Sequence, residues 1–333
     1  MSGRVSIAFQ TDKPGGRYGE LAAIADGYGF DVISVYSDLT FQPALPALLE
    51  IARATSRVRI GPACLNPFTI HPFEIAGQIA VLDAVSGGRA YLGLARGAWL
   101  EAIGIDQRHA VERVDEAWSV VSRLLAGDDR GFDGDQVTLA PGVALGYPRV
   151  RSKVPLLVGG WGKKMLRLAG RIADEAKVGG SANPEMVTMA RRRLAVGEVE
   201  SGRTPGTVGV VMGAVSVVDT DGERARSLAR REVAMYLGVV ADLDPTFSVA
   251  PEVVERVRAD VAMGRPERAA AFIDDETLDR FAFSGTPDQV ADQVGALLQA
   301  GAARVELGTP HGVTPERGIE LIGERVLPVV SGI

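Results

Sequence analysis

Short apolar runs alternate with longer amphipathic segments along nearly the whole chain. Most of the runs are continuously apolar, which is typical of strands that are buried on both faces. The predicted strands span residues 5–10, 31–36, 58–65, 90–95, 155–158, 175–178, 208–218 and 303–307. The predicted helices span residues 19–28, 46–55, 74–85, 111–125, 163–172, 184–199, 222–237 and 287–300.

The connections from helix to strand share a short form. One helix ends at Gly29 and another at Gly301, and in each case a strand begins within a few residues. Glycine is the usual left-handed cap of a helix, and a short join returns the next strand parallel to the last. Eight such units close naturally into one (β/α)8 TIM barrel, here a single domain over residues 1–333. One misassigned strand would instead leave an open, doubly wound sheet.

Two stretches interrupt this alternation. Residues 127–153 are rich in Gly, Asp and Pro, which predicts a loop or small hairpin between the fourth helix and the fifth strand. Residues 241–283 contain helical and charged segments without a strand, which predicts an insertion before the last unit. Insertions on the C-terminal side of barrel strands usually shape the substrate pocket.

Composition and charge exclude several classes of protein. The content of 46% hydrophobic and 23% charged residues is that of a globular chain, and the net charge of −6 argues against a general nucleic-acid binder. Cys64 is the one cysteine, so no intrachain disulfide forms, which fits the cytoplasm. We expect no signal peptide and no membrane span. The histidines, His71, His109 and His311, lie far apart, so no metal site is predicted.

A glycine-rich segment, residues 158–165, joins an apolar strand to a helix. Its glycines let the backbone approach a ligand, and a helix N-terminus offers free N–H groups to a phosphate. Lys163 and Lys164 add positive charge. The spacing matches neither a Walker A loop nor a full dinucleotide fingerprint. The segment is therefore either a phosphate site or an ordinary turn between strand and helix.

Three further loops follow predicted strands. After the fourth strand, Arg96 is placed to meet an anion, and Trp99 either walls a flat ring or packs in the core. After the second strand, Asp38 either binds a ligand hydroxyl or caps the next helix. Residues 60–72 contain three prolines, which indicates a rigid loop. We interpret Cys64 in that loop as unreactive, because no partner that would lower its pKa is adjacent in sequence.

These four loops, in this order, resemble those of the bacterial luciferase-like superfamily of flavin and deazaflavin enzymes. The most specific stretches are residues 58–72 and 82–94, and residues 283–290 carry a further similar motif. The likeness extends from Val5 to about Val329. Within the superfamily, the chain is most similar to the branch that uses coenzyme F420 and includes methylenetetrahydromethanopterin reductase.

The resemblance implies a TIM barrel that holds the coenzyme ring at the C-terminal ends of its strands. It also implies a non-prolyl cis peptide bond at Ala63–Cys64, behind that ring, and a dimer or higher oligomer. The coenzyme-binding residues that it implies are Asp38, Ala63, Cys64, Asn66, Arg96, Gly97, Gly160, Trp161, Gly162, Lys163 and Lys164.

The chain departs from one subgroup of this branch. Members that oxidise sugar phosphates or alcohols have His after the Asp and an acid after the Gly of the fourth loop, whereas here Leu39 and Ala98 stand there. Hydroxyl oxidation needs a base, so these departures argue against it. The catalytic proton donor is unassigned, and Glu101 and Gln10 are the candidates.

Three functions follow as hypotheses. The first is an F420-dependent oxidoreductase that transfers a hydride between C5 of the deazaflavin and a small organic or pterin-like substrate. The second is an FMN-dependent monooxygenase of the same superfamily. The third is a barrel that binds F420 without catalysis.

Overall fold

Eight parallel strands enclose the centre of the molecule in a computed structural model that describes residues 4–332. Within that range the strands, numbered in chain order, are β1 (Arg4–Phe9), β2 (Val32–Val35), β3 (Arg59–Pro62), β4 (Leu92–Leu94), β5 (Phe132–Asp133), β6 (Thr138–Leu139), β7 (Leu156–Gly159), β8 (Glu175–Gly179), β9 (Gly209–Val218), β10 (Ala282–Gly285) and β11 (Arg304–Gly312). β5 and β6 form a separate antiparallel hairpin, and β10 extends the outer edge of β9.

The remaining eight strands form a closed barrel. Around the barrel, β1 pairs with β2 and β11, β2 with β3, β11 with β9, and β8 joins β9 to β7, which pairs with β4. The ring closes between β3 and β4, where Tyr91 N donates to Ile60 O at 2.9 Å and Leu65 N donates to Gly93 O at 2.9 Å. The fold is therefore a (β/α)8 TIM barrel, as the alternation of apolar and amphipathic segments predicts.

Helices surround the barrel. They are α1 (Arg17–Tyr28), α2 (Ala44–Ala54), α3 (Pro72–Val85), α4 (Ala110–Ala126), α5 (Lys163–Ile172), α6 (Pro184–Glu200), α7 (Gly222–Val240), α8 (Pro251–Ala262), α9 (Pro266–Ala270), α10 (Asp275–Phe281), α11 (Pro287–Gln299), α12 (Pro315–Leu321) and α13 (Leu327–Val330). Their apolar faces pack on the outer faces of the strands and form one large core. α7 to α10 form a second core.

All eight predicted barrel strands and all eight predicted helices are present, with ends that differ by a few residues. The first insertion contains the β5–β6 hairpin, and the second contains α8, α9 and α10, as predicted. The prediction of no strand before residue 283 was wrong, because β10 begins at Ala282. Its short apolar run follows α10 directly, so no turn residue marks its start. That residues 1–333 act as a single domain stays a prediction.

Glycines fix the position of α5, the helix that follows the glycine-rich segment. A Cβ on Gly170 of α5 would lie 2.2 Å from Leu194 O, and a Cβ on Gly197 of α6 would lie 1.9 Å from Arg167 O. The two helix backbones therefore touch, which only glycine allows. Across residues 4–332, no helix is both long and apolar enough to cross a membrane.

Candidate functional site

The C-terminal ends of the barrel strands gather the predicted loops at one end of the molecule, here called the mouth. The loops follow β1, β2, β3, β4 and β7, and because the strands are parallel all five end on the same rim. The active sites of TIM-barrel enzymes lie at this end. The mouth is therefore the candidate site.

Two predicted residues meet at the ends of β1 and β2. Gln10 Nε2 donates a hydrogen bond to Asp38 Oδ2 at 2.9 Å, and Gln10 Oε1 accepts one from Thr11 N at 2.9 Å. These two bonds fix which end of the amide faces Asp38. Gln10 therefore orients the Asp38 carboxylate, and as a neutral amide it is not a proton donor for catalysis.

The Ala63–Cys64 peptide bond after β3 is cis, as the resemblance implies. The half-buried Cys64 side chain lies against β7, where a Cβ on Gly159 would come within 2.9 Å of its Sγ. Burial raises the pKa of the Cys64 thiol to about 12. The thiol is therefore protonated at neutral pH, in agreement with its interpretation as unreactive.

Asn66 and Gly97 also come together. Asn66 is buried, and its Oδ1 accepts hydrogen bonds from Thr69 N at 2.9 Å and Phe68 N at 3.1 Å. Gly97 has φ of +80°, and a Cβ there would lie 3.1 Å from Asn66 Cβ. The Asn66 carbonyl thus shapes its own loop, and the glycine lets the fourth loop approach it closely.

The glycine-rich segment presents an open helix N-terminus. Gly162 is the N-cap of α5 and supplies no side-chain cap, so the N–H groups of the first turn lack the partner that a capping side chain would give. Space is open where a Gly162 Cβ would stand. Lys163 and Lys164 are exposed beside it. The donor set of uncapped amides and two ammonium groups fits a phosphate.

Contacts with β8 and α6 fix the rest of this glycine-rich segment. Gly160 N donates to Lys177 O at 3.0 Å. The half-buried Trp161 contacts both cores, and its carbonyl accepts a hydrogen bond from Arg193 Nη1 at 2.5 Å. The open amides therefore sit on a rigid support.

Two residues of the predicted site, Arg96 and Glu101, take no part in these contacts. Arg96 and Glu101 are exposed, and within residues 4–332 neither side chain makes a hydrogen bond or an ion pair. The carbonyl oxygens of Arg96 and Gly97 accept from Gln107 Nε2, which ties down the fourth loop. Glu101 lies in a short 3-10 helix, Leu100–Ile103.

The sequence patterns did not lead us to predict a network of charged side chains that lies inside the barrel. Lys177 of β8 forms an ion pair with Glu306 of β11, and Arg304 Nη1 lies 3.3 Å from Glu306 Oε2. Arg304 Nη2 also pairs with Glu175 Oε2 at 2.7 Å. Ser34 Oγ donates to Glu306 Oε2 at 2.5 Å. One sequence pattern could have predicted this network: charged residues occupy every second position of two otherwise apolar strands.

The electrostatics of this network follow from its contacts. Burial raises the pKa of the Glu306 carboxyl, but the charges of Lys177 and Arg304 outweigh burial and hold that pKa below its usual value. Burial raises the pKa of Tyr36 far above its usual value, and the charge of Glu306 adds to the rise. Glu306 is thus ionised and Tyr36 neutral at physiological pH.

α7 brings two further unpredicted residues to the mouth. Tyr236 Oη donates to Phe281 O at 2.5 Å, and its ring lies 3.6 Å from where a Cβ on Gly180, just after β8, would stand. Glu232 is one helical turn earlier on the same face, half-buried and close enough to Asp12 to feel its charge. Burial raises the pKa of Glu232 and outweighs the lowering by the charge of the adjacent Arg231, and the charge of Asp12 adds to the rise. Within the described residues this carboxylate has no hydrogen bond or ion pair.

The second insertion is anchored to the mouth through Asn183, the buried N-cap of α6. Its Nδ2 donates to Asp244 Oδ2 and to Thr246 Oγ1, each at 2.8 Å, and its Oδ1 accepts from Arg280 Nη1 at 2.8 Å. Arg280 also lies over the Phe247 ring at 5.5 Å. The insertion is therefore attached next to the end of β8, and that it shapes the substrate pocket stays a prediction.

The fold and this mouth define a TIM-barrel enzyme with an uncapped helix start at its mouth, and residues 4–332 contain no cluster of side chains that could hold a metal ion. The family model described as luciferase-like monooxygenase matches residues 3–304. The chain belongs to this family.

Comparisons with individual proteins agree with this assignment. The chain is 30% identical over 315 residues to 5,10-methylenetetrahydromethanopterin reductase of Archaeoglobus fulgidus, covering 92% of this chain and 93% of the relative. It is 28% identical to F420-dependent glucose-6-phosphate dehydrogenase of Microbacterium testaceum, covering 93% and 91%. It superposes on coenzyme F420-dependent tetrahydromethanopterin reductase of Methanopyrus kandleri with a TM-score of 0.90 and 26% identity, covering 98% and 99% of the two chains.

Proposed function

We propose that this enzyme is an F420-dependent oxidoreductase that transfers a hydride between C5 of the deazaflavin and a small organic or pterin-like substrate. The observation that carries the proposal is the uncapped start of α5 at Gly162, which opens beside Lys163 and Lys164 on the rim that also holds Asp38 and the Ala63–Cys64 bond. The F420-dependent relatives support the choice of coenzyme.

Different residues of the mouth would bind different parts of the coenzyme. The first-turn amides of α5 and the two lysines would hold the coenzyme phosphate. Asp38, oriented by Gln10, would accept a hydrogen bond from the coenzyme. Ala63, Cys64, Asn66, Arg96, Gly97, Gly160 and Trp161 would line the ring and its linker. When bound, the deazaflavin supplies a carbon that gives or takes a hydride and reacts poorly with oxygen.

Reduction of a carbon–nitrogen or carbon–carbon double bond is favoured over oxidation of an alcohol. A hydroxyl substrate needs a base beside it. The resemblance implies His and an acid in alcohol- and sugar-oxidising members at the two positions that Leu39 and Ala98 occupy here. The relatives of the reductase class are also slightly more similar to this chain than the sugar-phosphate dehydrogenases.

We propose Glu232 as the proton donor of the reaction. It is a half-buried carboxyl on the face of α7 that reaches the mouth, it is unpaired within residues 4–332, and burial raises its pKa. A carboxyl whose pKa is raised can give a proton to the substrate as the hydride arrives. Glu101 is exposed, which suits the role less well.

A parallel titration of the purified protein with F420 and with FMN tests the proposal. We expect saturable quenching of deazaflavin fluorescence at micromolar F420 and no binding of FMN at the same concentrations. Bound FMN with no affinity for F420 would favour the FMN-dependent monooxygenase. Tight F420 binding without turnover on imine, enone and pterin substrates would favour a non-catalytic barrel.

We further propose that the enzyme acts in the cytoplasm as a homodimer. The resemblance implies the pairing, and the single cysteine supports the compartment.

A further inference from the structure

The end of β11 departs from the regular pairing of the barrel strands. β11 and β9 keep one register up to Gly308, which lies opposite Val215. Pairing resumes at His311, opposite Val217, so three steps along β11 correspond to two along β9. Irregularities in which one strand carries an extra residue are frequent beside active sites, where they redirect a side chain. Thr309, the residue after Gly308, lies within this irregularity.

The Thr309 hydroxyl binds the end of β1. Its Oγ1 accepts a hydrogen bond from Gln10 N at 3.0 Å and donates one to Ala8 O at 3.1 Å. Gln10 is the first residue after β1, so the partner of its N–H is this side chain and not a residue of the regular ladder. The half-buried Thr309 therefore sets the place of the Gln10 backbone.

Packing leaves the end of β11 little freedom to shift. The completely buried His311 ring lies edge-on to the Phe9 ring, with 5.4 Å between the ring centres. A Cβ on Gly318 of α12 would lie 2.3 Å from His311 O, so the backbone of that helix touches the strand end. The segment that carries Thr309 is therefore fixed against both β1 and α12.

Gln10 links this segment to the proposed coenzyme site. Its Nε2 donates to Asp38 Oδ2 at 2.9 Å, and its Oε1 accepts from Thr11 N at 2.9 Å. The loops after β1 and β2 are also joined directly, since Gln42 N donates to Thr11 O at 3.1 Å. A chain of hydrogen bonds therefore runs from Thr309 through Gln10 to Asp38.

We propose that Thr309 is a positioning residue for coenzyme binding, which acts through Gln10 on the direction of the Asp38 carboxylate. This inference rests on the proposed function, in which Asp38 accepts a hydrogen bond from the coenzyme. A carboxylate that is already oriented by fixed partners binds a ligand without the cost of first ordering its own side chain. Affinity for the coenzyme should therefore fall when this chain of hydrogen bonds is cut.

The test is fluorescence titration of wild-type protein and variants with F420. Thr309→Val removes the hydroxyl at nearly constant size and should raise the dissociation constant about three- to tenfold, the range that one hydrogen bond spans. Thr309→Ser keeps the hydroxyl and should bind like wild type. In protein that already carries Gln10→Ala, Thr309→Val should change the dissociation constant by less than about twofold, because the link to Asp38 is already cut.

Thr55 supplies a matched control at the opposite end of the barrel, between the end of α2 and the start of β3. Its Oγ1 also donates to a carbonyl, Ile51 O at 2.7 Å, and accepts an N–H, from Arg89 Nη1 at 2.9 Å. Thr55→Val should lower the thermal midpoint and leave the affinity for F420 unchanged.

The coupling to Gln10 separates positioning from a merely structural role, whose effect would be the same with or without Gln10→Ala. Such an equal effect overturns the inference, and so does weakening by Thr309→Ser or Thr55→Val as large as that by Thr309→Val. Wild-type affinity in folded Thr309→Val overturns it too and leaves the proposed function intact. If Thr309→Val does not fold, Thr309→Ala removes the same hydroxyl and decides. Wild-type protein that binds no F420 overturns both proposals.

Discussion

The open start of α5 makes a sharp prediction about coenzyme affinity. Gly162 has φ of −69° and ψ of 150°, values that any L-residue adopts, and nothing lies within 4 Å of the position of its missing Cβ. The fold itself therefore does not require glycine at this position. A ligand phosphate that approaches the first-turn amides would require it, so Gly162→Val should spare the fold and weaken binding.

The size of the effect follows from the bonds at risk. A hydrogen bond to a charged group contributes about 1.5–3 kcal/mol, and the valine methyl groups would stand where a phosphate must approach the amides of Lys163 and Lys164. Loss of even one such bond corresponds to at least about tenfold weaker binding, or 1.4 kcal/mol. We expect the dissociation constant for F420, measured by fluorescence titration, to rise more than tenfold.

A matched control separates this effect from a general one. Gly146, in the first insertion, is also exposed with open space around its Cβ position, and it is remote in sequence from the loops of the mouth. Gly146→Val should bind F420 like wild-type protein, and circular dichroism should show that both variants are folded. Equal affinity of Gly162→Val and Gly146→Val would remove the α5 start from the site.

Four further predictions concern stability, chemistry and assembly. Gly197→Ala should lower the free energy of unfolding by roughly 2 kcal/mol, read as a lower thermal midpoint, because its Cβ would collide with Arg167 O; an unchanged midpoint contradicts the backbone contact. The thiol of Cys64, with its pKa raised to about 12, should react with a thiol reagent at pH 8 far more slowly in folded than in unfolded protein, and equal rates would contradict its burial. With reduced F420 and methylenetetrahydromethanopterin, kcat should fall as pH rises through the raised pKa of Glu232, and Glu232→Gln should lower kcat and abolish that limb; a retained limb would exclude this residue. Light scattering should give about twice the chain mass of 35.1 kDa, and Val81→Glu on the exposed apolar face of α3 should reduce the measured mass. A monomeric wild type refutes the dimer.

Sequence patterns predicted the barrel well because its signals are local. Each strand is an apolar run buried on both faces, and the helix ends at Gly29 and Gly301 adopt the left-handed conformation expected of a glycine cap. The loops of the mouth were also found, because parallel strands place all their C-terminal ends on one rim. β10 was missed because only its register with β9 distinguishes it from the end of the preceding helix.

The candidate site was predicted less completely, since its chemistry depends on contacts between distant segments. That Gln10 orients Asp38, and that Asn66 packs on Gly97, depends on which loops become neighbours. Glu232 was missed for a different reason. Glu232 belongs to a helix rich in charged residues, a pattern that is typical of a solvent-exposed surface. Only the path of α7 shows that one turn of this helix reaches the mouth.

The alternation of side chains along two strands could have predicted the buried ion pair. Glu175 and Lys177, like Arg304 and Glu306, are separated by one apolar residue within a predicted strand. Because side chains alternate across a strand, each pair must face the same side, and in a barrel whose outer face is packed by helices that side is the interior. Two such pairs of opposite sign, on strands that both face one lumen, can avoid the cost of burial only by pairing with each other. The ion pair of Lys177 with Glu306 was therefore deducible once a barrel was predicted, and what required the structure was the contact of the Lys177 ammonium with the Tyr36 ring, 4.8 Å from its centre.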